Sequence, residues 1–193
     1  MTLLARLSRM MAGEATDVLT GDDTEAVEGE PTPAAVLVPV VSRAEPGLLL
    51  TVRTSTLRHH AGQIAFPGGR LDPGEDAVAA ALREAHEEVG LDPVRVEIVG
   101  TGDPYRTITG FAVTPVIAII APGLPLVPSD GEVADIFEAP LGFVTDPANH
   151  ILREVEWQGK PRRYYEIVWE DRRIWGATAA MIVNLSRRLS EAG

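Results

Sequence analysis

The 193-residue chain contains no cysteine, which excludes a disulfide framework, a thiolate nucleophile and a zinc–thiolate centre. It also lacks any long apolar run. The longest, Ala34 to Val41 and Val116 to Ala121, have strand length and fall far short of the roughly 18 residues of a membrane span. A soluble, cytoplasmic protein with no membrane partner is therefore expected. No internal repeat is present, so one domain is the natural unit for this length and composition. Basic residues are missing altogether between Gly13 and Pro33, where Glu14, Asp17, Asp22, Asp23, Glu25, Glu28 and Glu30 stand without a Lys or Arg. Much of the net charge of −11 thus belongs to a segment that reads as a solvated acidic linker, residues 13–33. The overall charge argues against nucleic acid as a partner, because phosphate-backbone binding needs a basic face. Outside the linker the chain is closer to neutral and can host a local anion site.

Ahead of the linker, Leu3, Leu4, Leu7, Met10 and Met11 have helical spacing, and Arg6 and Arg9 interrupt any signal-peptide core. Residues 1–12 are expected to form an amphipathic helix. Docking on the domain is the preferred reading, and an organellar transit segment is the other. From residue 34 to 193 the pattern alternates between strand-like and helix-like, which predicts a single α/β domain with a mixed sheet. Ala34–Ser42 and Leu48–Val52 are Val- and Leu-rich runs separated by Ala44-Glu45-Pro46-Gly47, a turn sequence. Further strands are expected over 94–101, 111–121, 133–139, 151–157 and 164–169, and a closing helix over 177–189.

The clearest helix runs from Glu75 to Val89, Ala-rich and unbroken, with Gly90 and Pro93 to stop it. At about 100° per residue, Val78, Leu82, Ala85 and Val89 share one side and Glu84, Glu87 and Glu88 cluster roughly opposite. Carboxylates at this spacing repel by roughly 0.2 to 0.5 kcal/mol per pair on an exposed helix. A hard divalent cation removes that penalty, and an all-oxygen donor set favours Mg²⁺ or Mn²⁺. Taken alone, three glutamates indicate only a solvated acidic face; their surroundings change the reading. Phe66-Pro67-Gly68-Gly69 and Asp72-Pro73-Gly74-Glu75 precede them, and glycines let backbone approach a ligand or metal closely. Arg83 is expected to hold a glutamate rotamer by ion pairing with Glu87 or Glu75. Glu75 itself reads as an acid in the first helical turn, and His86 points to a different side.

Gly69, five residues, Glu75, seven residues, then Arg83-Glu84-Ala85-His86-Glu87-Glu88-Val89-Gly90-Leu91 resembles the signature of the Nudix hydrolases. Ala85 stands where a larger aliphatic residue is usual. The pattern fixes many residues over 23 positions, far more than a lone glycine-rich loop. The resemblance implies an α/β/α sandwich that binds Mg²⁺ or Mn²⁺ and hydrolyses a nucleoside diphosphate linked to another moiety. Glu84, Glu87 and Glu88 would be ligands, the Gly69 carbonyl a further one, and Arg83 part of the catalytic group. Glu132 occupies a place where such enzymes often carry another ligand or the general base; a solvated strand-end acid is the competing reading.

Upstream, Leu49-Leu50-Thr51, Arg53, Leu57-Arg58, His60, Gly62 and Phe66-Pro67-Gly68-Gly69 resemble the extra signature of the coenzyme A pyrophosphatase branch, with Thr54 replacing a usual serine. The resemblance implies hydrolysis of coenzyme A or a derivative to 3′,5′-ADP and 4′-phosphopantetheine or its acyl form. Arg53 and Arg58 suit phosphate oxygens through bidentate geometry, the competing reading being that Arg53 ends a strand and Arg58, His59 and His60 decorate a loop; Phe66 and Gly68 are the other expected contacts in this segment. Tyr105 and Arg106 read either as a pocket wall, stacking and pairing with phosphate, or as a loop entering a strand. A broader nucleotide-sugar pyrophosphatase, such as one acting on ADP-ribose, remains the rival. So does a non-catalytic ligand sensor, against which the full glutamate set counts. The partner is a small molecule, and the oligomeric state, a homodimer included, stays open.

Overall fold

A computed structural model describes residues 2–13, 18–21, 30–55, 62–157 and 160–191. Two long strands organise it. β1 (Thr32–Val41) runs parallel to β7 (Phe111–Ile120) over its full length, and β2 (Gly47–Arg53) folds back antiparallel on β1. β8 (Val133–Pro140) and the short β3 (Ile64–Ala65) flank β2, β4 (Gly68–Arg70) pairs with β1, and β5 (Val96–Thr101) and β6 (Tyr105–Arg106) pair with β7. One parallel pair among antiparallel ones makes the sheet mixed, as the sequence pattern predicts.

Side chains alternate across this sheet because strand periodicity is two. Ala35, Leu37, Val41, Leu49, Val116, Ala118 and Ile120 face α2 (Ala77–Val89), which packs on them through Ala80, Ala81, Ala85 and Val89. Val38, Val40, Leu48, Leu50, Ile117 and Ile119 face the other way, toward α1 (Leu3–Ala12) and α4 (Ala177–Glu191). Fully burying each such Leu, Ile or Val side chain contributes about 1.5 to 3 kcal/mol. A short helix, α3 (Leu141–Val144), follows β8. A second sheet of β9 (Ile151–Trp157), β10 (Lys160–Trp169) and β11 (Arg172–Trp175) completes the fold.

The first helix is docked on the domain, with Leu7 and Met10 buried. Part of the acidic linker is docked as well. Leu19 donates its N–H to Asn184 Oδ1 at 2.9 Å and accepts from Asn184 Nδ2 at 2.8 Å, while Thr20 O accepts the Arg106 N–H. Residues 18–21 are therefore not a free tether; residues 14–17 and 22–29 lie outside the described residues. Sheet order begins at Thr32 rather than Ala34. No described helix is long and apolar enough to cross a membrane.

Candidate active site

α2 begins two residues later than its pattern suggests. Asp76 is the N-cap, accepting the Ala79 N–H at 2.8 Å, and Gly90 ends the helix in the left-handed region at φ 67°. Glu75 therefore stands outside the helix rather than in its first turn. Its carboxylate accepts the Asp72 N–H at 3.0 Å and receives Arg83 in a two-pronged pair, Nε to Oε1 at 3.0 Å and Nη2 to Oε2 at 2.9 Å. Arg83 and the Asp72 N–H hold the Glu75 carboxyl below the usual carboxylate range.

Arg83 does more than the ion pairing expected of it. Its Nη1 also reaches Glu84 at 2.9 Å and Glu87 at 3.3 Å, and Nη2 donates to Arg70 O at 3.0 Å. One guanidinium thus ties together Glu75, Glu84, Glu87 and the backbone of β4, and its own pKa is raised by Glu75 and Glu84.

Glu88 departs from the acid-face reading. It is only 3 % exposed and lies on the sheet side of α2. Its Oε2 accepts the Gly68 N–H at 3.1 Å, and its Oε1 is 3.5 Å from Arg53 Nη1. Burial pushes its carboxyl up to about 7; the Gly68 N–H and Arg53 oppose this, and the nearby charges of Glu84 and Glu132 add to it. Arg53 compensates incompletely, since its Nε is buried with no hydrogen-bond partner among the described residues.

The two glycines do different work. A Cβ on Gly68 would fall 2.3 Å from Ala35 O, so this glycine permits close pairing with β1 rather than access for a ligand. A Cβ on Gly69 would fall 2.4 Å from a carboxylate oxygen of Glu84, so the missing side chain is the space in which that carboxylate sits.

Glu132 is exposed in the loop between β7 and β8, and its charge is felt at Glu88. That loop caps the end of α2: the Ser129 N–H donates to Glu88 O at 2.8 Å and the Val127 N–H to Val89 O at 3.0 Å, satisfying carbonyls that a helix end leaves open. Thr54 fixes the other side, its N–H donating to Glu132 O at 2.9 Å and its hydroxyl to Gly131 O at 2.8 Å. The hydroxyl kept by the serine-to-threonine departure thus has a defined partner.

A cavity of about 590 Å³ opens beside these groups, lined by Arg53, Phe66, Gly68 and Gly69 among others. Tyr105 and Arg106 do not line it. Tyr105 is 4 % exposed and packs in the core below α4, so it offers no face for stacking a base. Arg58, His59 and His60 lie outside the described residues. Sequence reasoning missed the cavity's opposite wall, which comes from β10, β11 and the start of α4 through Arg162, Arg163, Tyr164, Trp175 and Met181. The alternating Arg173-Ile174-Trp175 was a detectable strand pattern, but too short to stand out.

The donor chemistry suits a hard divalent cation: carboxylates of Glu84, Glu87 and Glu88 from one helix, with Gly69 packed against Glu84 and no sulfur or histidine among the donors. Among the described residues, no three acidic or histidine side chains are gathered at metal-holding distance. Arg83 engages Glu84 and Glu87, and the Gly68 N–H and Arg53 engage Glu88.

The loop–helix–loop on a mixed sheet, with its glutamates gathered around Arg83, Gly68 and Gly69, finds its counterpart among known proteins. A family model described as the NUDIX domain matches residues 31–157, and the chain belongs to the Nudix hydrolase family. It is 46 % identical over 159 residues to NudL of Cronobacter sakazakii, named an uncharacterized Nudix hydrolase, covering 82 % of this chain and 83 % of that protein. It is 44 % identical over 157 residues to NudL of Escherichia coli K12, covering 81 % and 82 %. Among solved structures, the Nudix hydrolase RenU of M. smegmatis matches with a TM-score of 0.53 at 28 % identity, over 68 % of this chain and 84 % of that one.

Proposed function

We propose that this Nudix hydrolase, loaded with Mg²⁺ or Mn²⁺, cleaves the diphosphate of coenzyme A or a derivative to 3′,5′-ADP and 4′-phosphopantetheine or its acyl form. What carries the reading is Arg53. It belongs to the segment resembling the coenzyme A branch, lines the cavity together with Gly68 and Gly69, and keeps a buried Nε without a partner among the described residues. The side chain as a whole is 28 % exposed, so its outer nitrogens meet a phosphate oxygen with the planar geometry that guanidinium offers.

Glu84, Glu87, Glu88 and the Gly69 carbonyl would hold the cation, which would supply charge neutralisation at the diphosphate and make water a better nucleophile near neutral pH. Arg83 holds Glu84 and Glu87 in place and anchors them to β4. Arg53 draws the substrate phosphate toward Glu88. Glu132, whose charge acts on Glu88, would be the carboxylate that takes the proton of the attacking water. Water oxygen bonds to one phosphorus, the bridging P–O bond breaks, and the two phosphate monoesters leave. Catalysis is then positioning plus charge stabilisation.

The test is product analysis by mass spectrometry after incubating the protein and metal with coenzyme A, acyl-coenzyme A, ADP-ribose, NADH and a dinucleoside polyphosphate. The expected result is 3′,5′-ADP from the coenzyme A species as the fastest reaction, with Arg53→Ala lowering kcat/KM about tenfold or more. ADP-ribose as the better substrate, with coenzyme A turnover untouched in Arg53→Ala, contradicts the assignment. Binding without hydrolysis of any substrate establishes a sensor.

A further inference from the structure

The cavity is larger and more apolar than phosphate chemistry requires. Its charged side chains, Arg53, Arg70, Arg162 and Arg163, are exposed or half-exposed, with Arg162 and Arg163 on the same wall as Tyr164. Ile64, Phe66, Val113 and Met181, each no more than 8 % exposed, form its floor. Thr178, the polar side chain among the buried lining, donates its hydroxyl proton to Ile64 O at 3.1 Å. A purine reads its surroundings through hydrogen bonds at its edge; this floor supplies aliphatic and aromatic contact instead.

The wall supplied by β10, β11 and α4 is held by charged and aromatic contacts. Glu166, 4 % exposed, binds Arg153 through Oε1 and Arg173 through Oε2. Arg173 in turn donates to the Tyr164 hydroxyl at 3.0 Å and lies over the Trp175 ring at 5.2 Å, and the two rings meet edge to face at 5.7 Å. Gly176, at φ 63°, then turns the chain so that Ala177 and Met181 close the floor. Tyr164, Trp175, Ala177 and Met181 lie on β10, β11 and α4, beyond residue 157 where the family match ends. The phosphate-handling half of the cavity comes from the shared domain, and the apolar wall from the C-terminal strands and helix.

Resting on the coenzyme A reading above, we infer that this second half seats the acyl arm of a coenzyme A thioester, with Tyr164, Trp175, Ala177 and Met181 setting the preference for an acylated over a free thiol substrate. Burying one methylene is worth up to about fourfold in kcat/KM, so the gain accumulates along the chain until the cavity is full.

The full-length protein is assayed with Mn²⁺ on coenzyme A and its acetyl, hexanoyl and decanoyl thioesters, with ADP-ribose alongside. In parallel, binding of coenzyme A and hexanoyl-coenzyme A is measured by calorimetry in EDTA, where no turnover occurs. The expected result is a hexanoyl-to-free kcat/KM ratio of at least about tenfold, carried by KM. In EDTA, tighter hexanoyl binding with a more negative heat-capacity change is expected, the mark of apolar burial. Met181→Trp, and Ala177→Leu at the half-exposed start of α4 should the first fail to fold, collapse that ratio to below about threefold. A flat or falling chain-length profile, or a ratio unmoved in a folded variant, overturns the acyl assignment while leaving coenzyme A as substrate. Cleavage of ADP-ribose with no coenzyme A species cleaved overturns both.

Discussion

Two buried carboxylates, Glu88 on α2 and Glu166 on β10, are equally hidden from solvent and held in opposite electrostatic states. Glu166 is 4 % exposed, yet two arginines chelate it, each itself about half exposed, and they hold its carboxyl below the ordinary range. Glu88 is 3 % exposed and has one N–H and one arginine at 3.5 Å against burial and two neighbouring acids, so its carboxyl rises to about 7. The first charge is satisfied by the protein and belongs to the architecture of a wall. The second is left short of positive charge, as a site built to receive a cation requires.

The largest effect that would break this contrast is on turnover. Glu88→Gln or Glu87→Gln is expected to lower kcat by about two orders of magnitude or more with circular dichroism unchanged; near-normal rates in both remove the metal-site argument. Next comes stability. In the metal-free protein, Glu88 holds its proton more tightly when folded than when unfolded. Its contribution is therefore present below about pH 4.5 and lost as pH rises through about 7. Glu88→Gln keeps an acceptor for the Gly68 N–H and sheds the buried charge, so it should raise metal-free stability at pH 8 by up to about 3 kcal/mol. The gain should vanish near pH 4, as read from denaturation midpoints. Glu166→Gln should do the reverse, losing about 1 kcal/mol at pH 8 because two half-exposed arginines lose their counter-charge. Equal signs for the two substitutions would dissolve the comparison.

The paired glycines sharpen it further. Gly68→Ala drives a Cβ into the backbone of β1 and should cost about 1–3 kcal/mol. Gly69→Ala meets the carboxylate end of the Glu84 side chain rather than backbone and should lower activity with a smaller change in Tm. Arg83→Lys keeps a charge but loses the fork that spans Glu75 and Glu84; a fall in kcat of about 10–100-fold is expected with little change in Tm.

Much of the candidate site is legible in sequence because its residues are local. Gly69 through Leu91 carry spacing and chemistry within one loop and one helix. The inward turn of Glu88 is not legible there, because helical angle alone puts it with Glu84 and Glu87. Only the position of Gly68 across the gap shows that its carboxylate points at the sheet. Tyr105 misleads for the same reason: an aromatic beside an arginine suits a pocket wall until pairing with β7 turns it into the core. The apolar wall was invisible since Tyr164, Trp175 and Met181 meet only through the second sheet and α4. Leu19 in the acidic linker gave no hint that Asn184, far along the chain, would clasp it.

The most direct measurement is a calorimetric Mn²⁺ titration of the protein at pH 6 and pH 8.5 in buffers of differing ionisation enthalpy. With Glu88 as the protonated ligand of the metal-free site, binding at pH 6 should release about one proton and be weaker than at pH 8.5, where release should be near zero. The Glu88→Gln protein should bind weakly, with no such difference. Tight Mn²⁺ binding with the same proton count at both pH values, or binding untouched by Glu88→Gln, would contradict a cation site centred on that buried carboxylate.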